Sequence, residues 1–138
     1  MKTQPKEHIL ICLSSSPSNV KIIQTAGEMA KAYQGTLTAL FVETPDYPYM
    51  QPEDQKRLQK NIELAKQLGA SLEQVSGEDI SYQIAEYARM NGITKIVVGQ
   101  SSTMRNVFGT KALTERLPEL APDTEIFIIP DGNRNRSY

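Results

Sequence analysis

One cysteine, one histidine and no long apolar run set the first limits on this sequence of 138 residues. The lone Cys12 excludes an internal disulfide, and its place in an apolar stretch reads as a buried, inert thiol. His8 has no second imidazole to join it in a metal site, so it reads as a solvated or core-edge residue. No segment approaches the ~20 apolar residues that span a bilayer. Residues 1–7 are polar and lack a signal-peptide core, which points to a cytoplasmic location without direct membrane contact. A net charge of -1 gives no electrostatic basis for general nucleic-acid binding. Phosphate loops of the glycine-lysine type and G-x-G-x-x-G turns are missing too. His8 lies too early in its apolar run to serve a catalytic triad at a strand C-terminus. The chain is therefore expected to catalyse nothing and to need no metal.

What remains is ordinary for a soluble domain: 39% apolar and 22% charged residues, with no repeat and no low-complexity stretch. The length suits one domain with a real core. That domain is expected over residues 8–130, with residues 1–7 and 131–138 as flexible polar ends.

Apolar runs and helical stripes alternate along it. Strands are predicted at residues 8–13, 36–42, 71–75, 95–98 and 125–129. The first is continuously apolar, as in a strand covered on both faces. Between them lie four helical patterns. The first starts at Ser16 as N-cap with Pro17 at its first position and runs to about Tyr33, where Gly35 stops it. The second begins at Pro52 with Glu53 and Asp54 in its first turn. Asp79 is the N-cap of the third, and the fourth runs over residues 110–120 with Leu113, Leu117 and Leu120 inward. The charge run over residues 53–57 reads as a solvated helix face. Strict alternation implies a five-stranded parallel, doubly wound α/β sheet of order 3-2-1-4-5 with helices on both faces. Ligands then sit beyond the strand C-termini where the winding reverses, between strands one and four. That brings Ser14-Ser15-Ser16-Pro17 toward Gly99-Gln100-Ser101-Ser102 and Gly109-Thr110. Both loops are rich in small and hydroxyl residues and poor in acids and bases.

This arrangement resembles the universal stress protein family, with its adenine nucleotide alpha hydrolase-like fold. ATP-binding members carry glycine, two residues, glycine, nine residues, then glycine with a small hydroxyl residue. Gly99 and Gly109-Thr110 match, Ser102 replaces the second glycine, and six residues rather than nine intervene. Ser14 stands where those members have an aspartate. The chain is more similar still to the universal-stress-like domain of KdpD-type potassium sensor kinases, over about residues 8–130. Some of those domains bind cyclic di-AMP through Ser-x-Ser, twenty residues, then Phe-Thr-Ala-x-Tyr. Here Ser14-Ser15-Ser16 is followed by twenty residues and then Leu37-Thr38-Ala39-Leu40-Phe41.

The resemblance implies a regulatory domain of a membrane sensor kinase that binds a cyclic dinucleotide in potassium and osmotic signalling. Its site would draw on Ser14, Ser16, Thr38, Ala39, Phe41, Gly99, Ser101, Ser102, Arg105, Gly109 and Thr110. Serine hydroxyls can donate to phosphate without adding negative charge. Arg105 and Lys111 are the nearest cations along the sequence, and Phe41, Tyr47 and Tyr49 can stack on a purine. Each has a plainer role open to it: Ser16 as a cap, Thr38 and Ala39 as packing, the tyrosines as cover for the sheet's end, the glycines as turns. Two alternatives stand beside this reading. One is a stand-alone universal stress protein that binds ATP. The other is a ligand-free interaction module or homodimer paired through the apolar fifth strand.

Overall fold

The computed structural model describes residues 6–100 and 113–130. Five strands form one parallel sheet: β1 His8–Cys12, β2 Thr36–Glu43, β3 Ser71–Ser76, β4 Lys95–Gly99 and β5 Glu125–Ile129. Their order is β3-β2-β1-β4-β5, as the alternation predicts. The crossovers are α1 Asn19–Tyr33, α2 Pro52–Gln67, α3 Ile80–Met90 and α4 Leu113–Leu120.

Alternation along β1 divides the core. Ile9 and Ile11 pack with Ile23, Ala26, Leu58 and Ala65 of α1 and α2. Leu10 and Cys12 pack with Ile84, Ala88, Leu113 and Leu117 of α3 and α4. All four β1 residues are buried, which is why the run had to be apolar without interruption. At the sheet's outer edge, β5 leaves Ile128 48% exposed.

Several boundaries move from the sequence reading. Helix α1 starts at Asn19, so Pro17 is not its first residue; residues 16–18 form a turn in which the Ser16 hydroxyl accepts from the Ser18 N–H at 3.2 Å. At the other end, Gln34 takes the left-handed conformation (φ 56°), and Gly35 follows because a Cβ there would run into the Glu7 carbonyl oxygen. Leu120 does not face inward: it is 37% exposed, and Ala121 takes the buried position after Leu117. The loop after β2 holds a short 3₁₀ turn at Tyr47–Tyr49. Asp79 caps α3 as expected, accepting from the Tyr82 N–H at 3.2 Å, and also receives both 2.8 Å hydrogen bonds from one Arg116 nitrogen of α4. Burial pushes its carboxyl up, but Arg116 and the Tyr82 N–H outweigh that and hold it below the usual range.

The sheet's base is closed by charge. Lys95, almost fully buried, meets Glu7 at 3.0 Å and Glu125 at 2.7 Å, and its ammonium lies 4.8 Å from the Tyr33 ring centroid. Glu7 also accepts from the Thr94 hydroxyl at 2.7 Å, so this residue of the polar N-terminal stretch is tied to the sheet. Close by, His8 shares a 2.7 Å hydrogen bond with Thr36, its partner at the first residue of β2. Donating to Glu125 and Glu7 raises the Lys95 pKa, and hydrogen bonds from Thr94 and Lys95 lower that of Glu7.

Two outcomes follow from these contacts. The Glu7 contribution to stability is present above about pH 4.3 and lost as pH falls through its lowered folded value; the Lys95 contribution is present below about pH 10.4 and lost as pH rises through its raised one. Lys95→Met should therefore flatten the alkaline flank of a urea-unfolding stability curve measured against pH and reduce the acid flank only in part, because the Thr94 hydroxyl still holds Glu7. Asp79→Ala removes a cap and a charge partner together, and should lower unfolding free energy by about 1–2 kcal/mol in the same assay.

Candidate functional site

Winding reverses between β1 and β4, and the backbone beyond β1 is fixed there by buried amides. Asn19, the first residue of α1, is 2% exposed; its Nδ2 donates to the Cys12 carbonyl at 3.1 Å and its Oδ1 accepts from the Ser14 N–H at 3.2 Å. Asn61 of α2 is 1% exposed and donates to the carbonyls of Ser14 at 2.8 Å and Ser16 at 3.4 Å. Arg57 reaches the Ser15 carbonyl at 3.5 Å while pairing with Asp54 at 3.2 Å. The loop also braces itself, with the Ser16 N–H donating to the Ser14 hydroxyl at 3.1 Å. Buried polar groups satisfied in this way hold a loop to one geometry.

Sequence reasoning missed both asparagines. Their signal was present: Asn19 falls in the stripe of Ile22, Ile23 and Ala26, and Asn61 in that of Leu58 and Ala65. A polar residue on a buried helical stripe must find partners, and here the partners are the carbonyls of the ligand-side loop. The charge run of residues 53–57 is likewise not wholly a solvated face, because Asp54 and Arg57 turn toward this loop.

A cleft of about 380 Å³ opens beyond the ends of β1 and β2. Cys12, Leu13, Phe41 and Val42 supply apolar wall, and Ser14 and Ser15 one edge. Residues of the β2–α2 connection roof it, Tyr47, Tyr49 and Met50 among them, with Ile80 of α3 also lining it. Phe41 and Tyr47 meet edge to face, their centroids 5.2 Å apart. Tyr49 is 80% exposed at the mouth. Two carboxylates, Asp46 and Asp54, line the cleft, and among the described residues no lysine or arginine does. Burial pushes the Cys12 thiol up to about 12, so it is protonated and is no nucleophile.

Of the residues singled out in the sequence, Ser14, Phe41, Tyr47 and Tyr49 line this cleft. Ser16 stands beside it and shapes the turn. Thr38 and Ala39 lie deeper along β2, opposite Leu10 and Ile11 of β1, and Ala39 is wholly enclosed in the core; neither reaches the cleft. Gly99 ends β4, where a Cβ would come within 2.9 Å of the Ile22 Cδ1 of α1, a side-chain tip that would have to shift. Beyond it, the Gln100 N–H donates to the Ile129 carbonyl at 2.8 Å. Ser101, Ser102, Arg105, Gly109, Thr110 and Lys111 lie outside the described residues. Among the described residues no cluster of three or more His, Cys, Asp or Glu side chains could hold a metal, and no helix is long and apolar enough to cross a membrane.

No family model matches the chain. The sensor protein KdpD of Clostridium acetobutylicum is 31% identical over 135 residues, which cover 96% of this chain and 15% of that protein. Solved structures share the fold. A universal stress protein in complex with cAMP superposes with a TM-score of 0.70 at 18% identity, over 94% of this chain and 100% of that one. The universal stress protein from Archaeoglobus fulgidus in complex with dAMP gives 0.59 at 16% identity, over 91% and 98%. The chain therefore has the fold of the universal stress proteins and is similar over nearly its whole length to a segment of KdpD sensor proteins, of which it spans about a seventh.

Proposed function

We propose that this chain is the nucleotide-binding regulatory domain of a KdpD-like membrane sensor kinase, and that cyclic di-AMP is the nucleotide whose binding it passes to the kinase to control potassium-uptake signalling. The observation that carries the reading is the cleft at the ends of β1 and β2. It combines a braced serine loop with three aromatic side chains, in a chain similar to KdpD. A purine fits between such walls, and stacking is worth on the order of 1–3 kcal/mol per base. Ser14 lends its hydroxyl oxygen to the Ser16 N–H and keeps its own proton to donate to a phosphate oxygen. The match in register of Ser14, Ser16, Thr38 and Ala39 to the cyclic di-AMP signature favours the cyclic dinucleotide over ATP. Thr38 and Ala39 serve that site through β2, which carries Phe41 to the cleft.

The domain acts by binding, and the chemistry of a kinase belongs to other segments. Its cleft offers serine hydroxyls, aromatic faces, two carboxylates and a protonated thiol, a set suited to recognition. Two universal stress protein structures hold adenine mononucleotides, which keeps AMP and ATP in any test.

A thermal-shift series with cyclic di-AMP, cyclic di-GMP, ATP and AMP checks the assignment. Cyclic di-AMP should raise the melting temperature most and saturably. In calorimetry, Ser14→Ala should weaken it about tenfold. No stabilisation by cyclic di-AMP at high micromolar concentration overturns the assignment, and a larger shift with ATP moves it to a stand-alone ATP-binding protein. Asn61→Ala leaves two loop carbonyls without their donor and should lower unfolding free energy by about 1–3 kcal/mol in urea titrations.

A further inference from the structure

Three successive carbonyls in the loop after β1 are all drawn toward α2. Asn61 Nδ2 donates to the Ser14 carbonyl at 2.8 Å and to that of Ser16 at 3.4 Å, and Arg57 reaches the Ser15 carbonyl at 3.5 Å. In a trans peptide the carbonyl and the N–H of the next residue point in opposite directions, and among the described residues no peptide bond is cis. The carbonyls that α2 draws in therefore turn the following N–H groups away from it. Of these, the Ser16 N–H donates to the Ser14 hydroxyl at 3.1 Å, and Pro17 has no N–H. The Ser15 N–H is left. Among the described residues it donates to nothing, although Ser15 lines the cleft. With the neighbouring carbonyl oxygens held on the far side, this N–H presents unopposed partial positive charge, the property on which backbone anion sites depend.

We propose that the Ser15 backbone N–H is a direct donor to a phosphate oxygen of the bound nucleotide, and that buried Asn61 is the positioning residue that aims it. This rests on the nucleotide-binding reading and adds to it a contact made by main chain. Asn61 is 1% exposed and does not line the cleft, so it acts through the loop rather than on the ligand. Its amide holds two partially negative carbonyl oxygens off the ligand side. Only a donor serves there: an aspartate of the same size has no N–H and would face both carbonyls with a negative charge.

The test titrates cyclic di-AMP, and in parallel ATP, into wild type, Asn61→Asp and Ile96→Val. Affinity is read by calorimetry and the Ser15 amide proton by nitrogen-15 NMR. Ile96 is enclosed in the core on the opposite face of the sheet, so Ile96→Val lowers stability without touching the loop. In wild type the Ser15 amide proton should move downfield on binding, further than those of its neighbours, as a new hydrogen bond to phosphate requires. Asn61→Asp should weaken the ligand about tenfold, the loss of one hydrogen bond to a charged group, and abolish that shift. Ile96→Val should keep both affinity and shift. A Ser15 amide proton that stays in place when wild type is saturated overturns the inference while nucleotide binding stands, and this measurement decides even if Asn61→Asp does not fold. Unchanged affinity in Asn61→Asp, or an equal loss in Ile96→Val, overturns it too. Failure of wild type to bind either ligand overturns the nucleotide-binding reading itself.

Discussion

Everything in this domain hangs on a central strand that water reaches from neither face. β1 is flanked by β2 and β4 and covered by a helical pair on each side, so four successive residues lose solvent together. Such a strand has no polar face to expose, and its neighbours are bound to be parallel strands reached by crossover helices. The sheet has to wind outward from it in both directions, and among the described residues the cleft opens on the β2 side of the turning point, beyond the ends of β1 and β2. The cleft is a by-product of that burial. Its floor is the end of the same apolar run, and Cys12, the last residue of β1, closes it as a thiol too deeply desolvated to react.

The loop that leaves β1 has the opposite problem: polar backbone pressed against a core. Asn19 and Asn61 resolve it by replacing water with amide groups from two helices. The donors are side chains locked in helices, so the loop's shape is set before any ligand arrives. Binding then costs little ordering of the protein, and affinity can come from a few contacts.

The fold was legible because its signals are local and repeated. Apolar runs of β-branched residues, helical stripes and capping residues such as Asp79 fix element type and order, and alternation leaves little choice of topology. Boundaries were less so. Ser16 and Pro17 have the chemistry of a helix start, but Ser16 closes a turn with Ser18 instead, because the Asn19 amide holds the Cys12 carbonyl and places the helix start there. The site was half legible. Ser14 and Phe41 stand out by position, whereas Asp46, Asp54 and Arg57 look like ordinary surface charges until the fold turns α2 toward the β1 loop. Gly99 carries a second reading that the sequence does not display: a Cβ there would press on the tip of the Ile22 side chain. Pairwise approach of distant segments is what a single sequence does not display.

Lys95 and the Gln100–Ile129 bond mark opposite ends of the sheet, and together they give the domain a direction. The chain comes in at the base, where Glu7 is clasped by Lys95, and departs from β5 at the edge that carries the strand C-termini. The point of departure is one backbone hydrogen bond from the end of β4, while the point of arrival is a full strand length away. The cleft therefore shares the end of the sheet at which β5 finishes, and lies a full strand length from the clasp that Lys95 closes on Glu7.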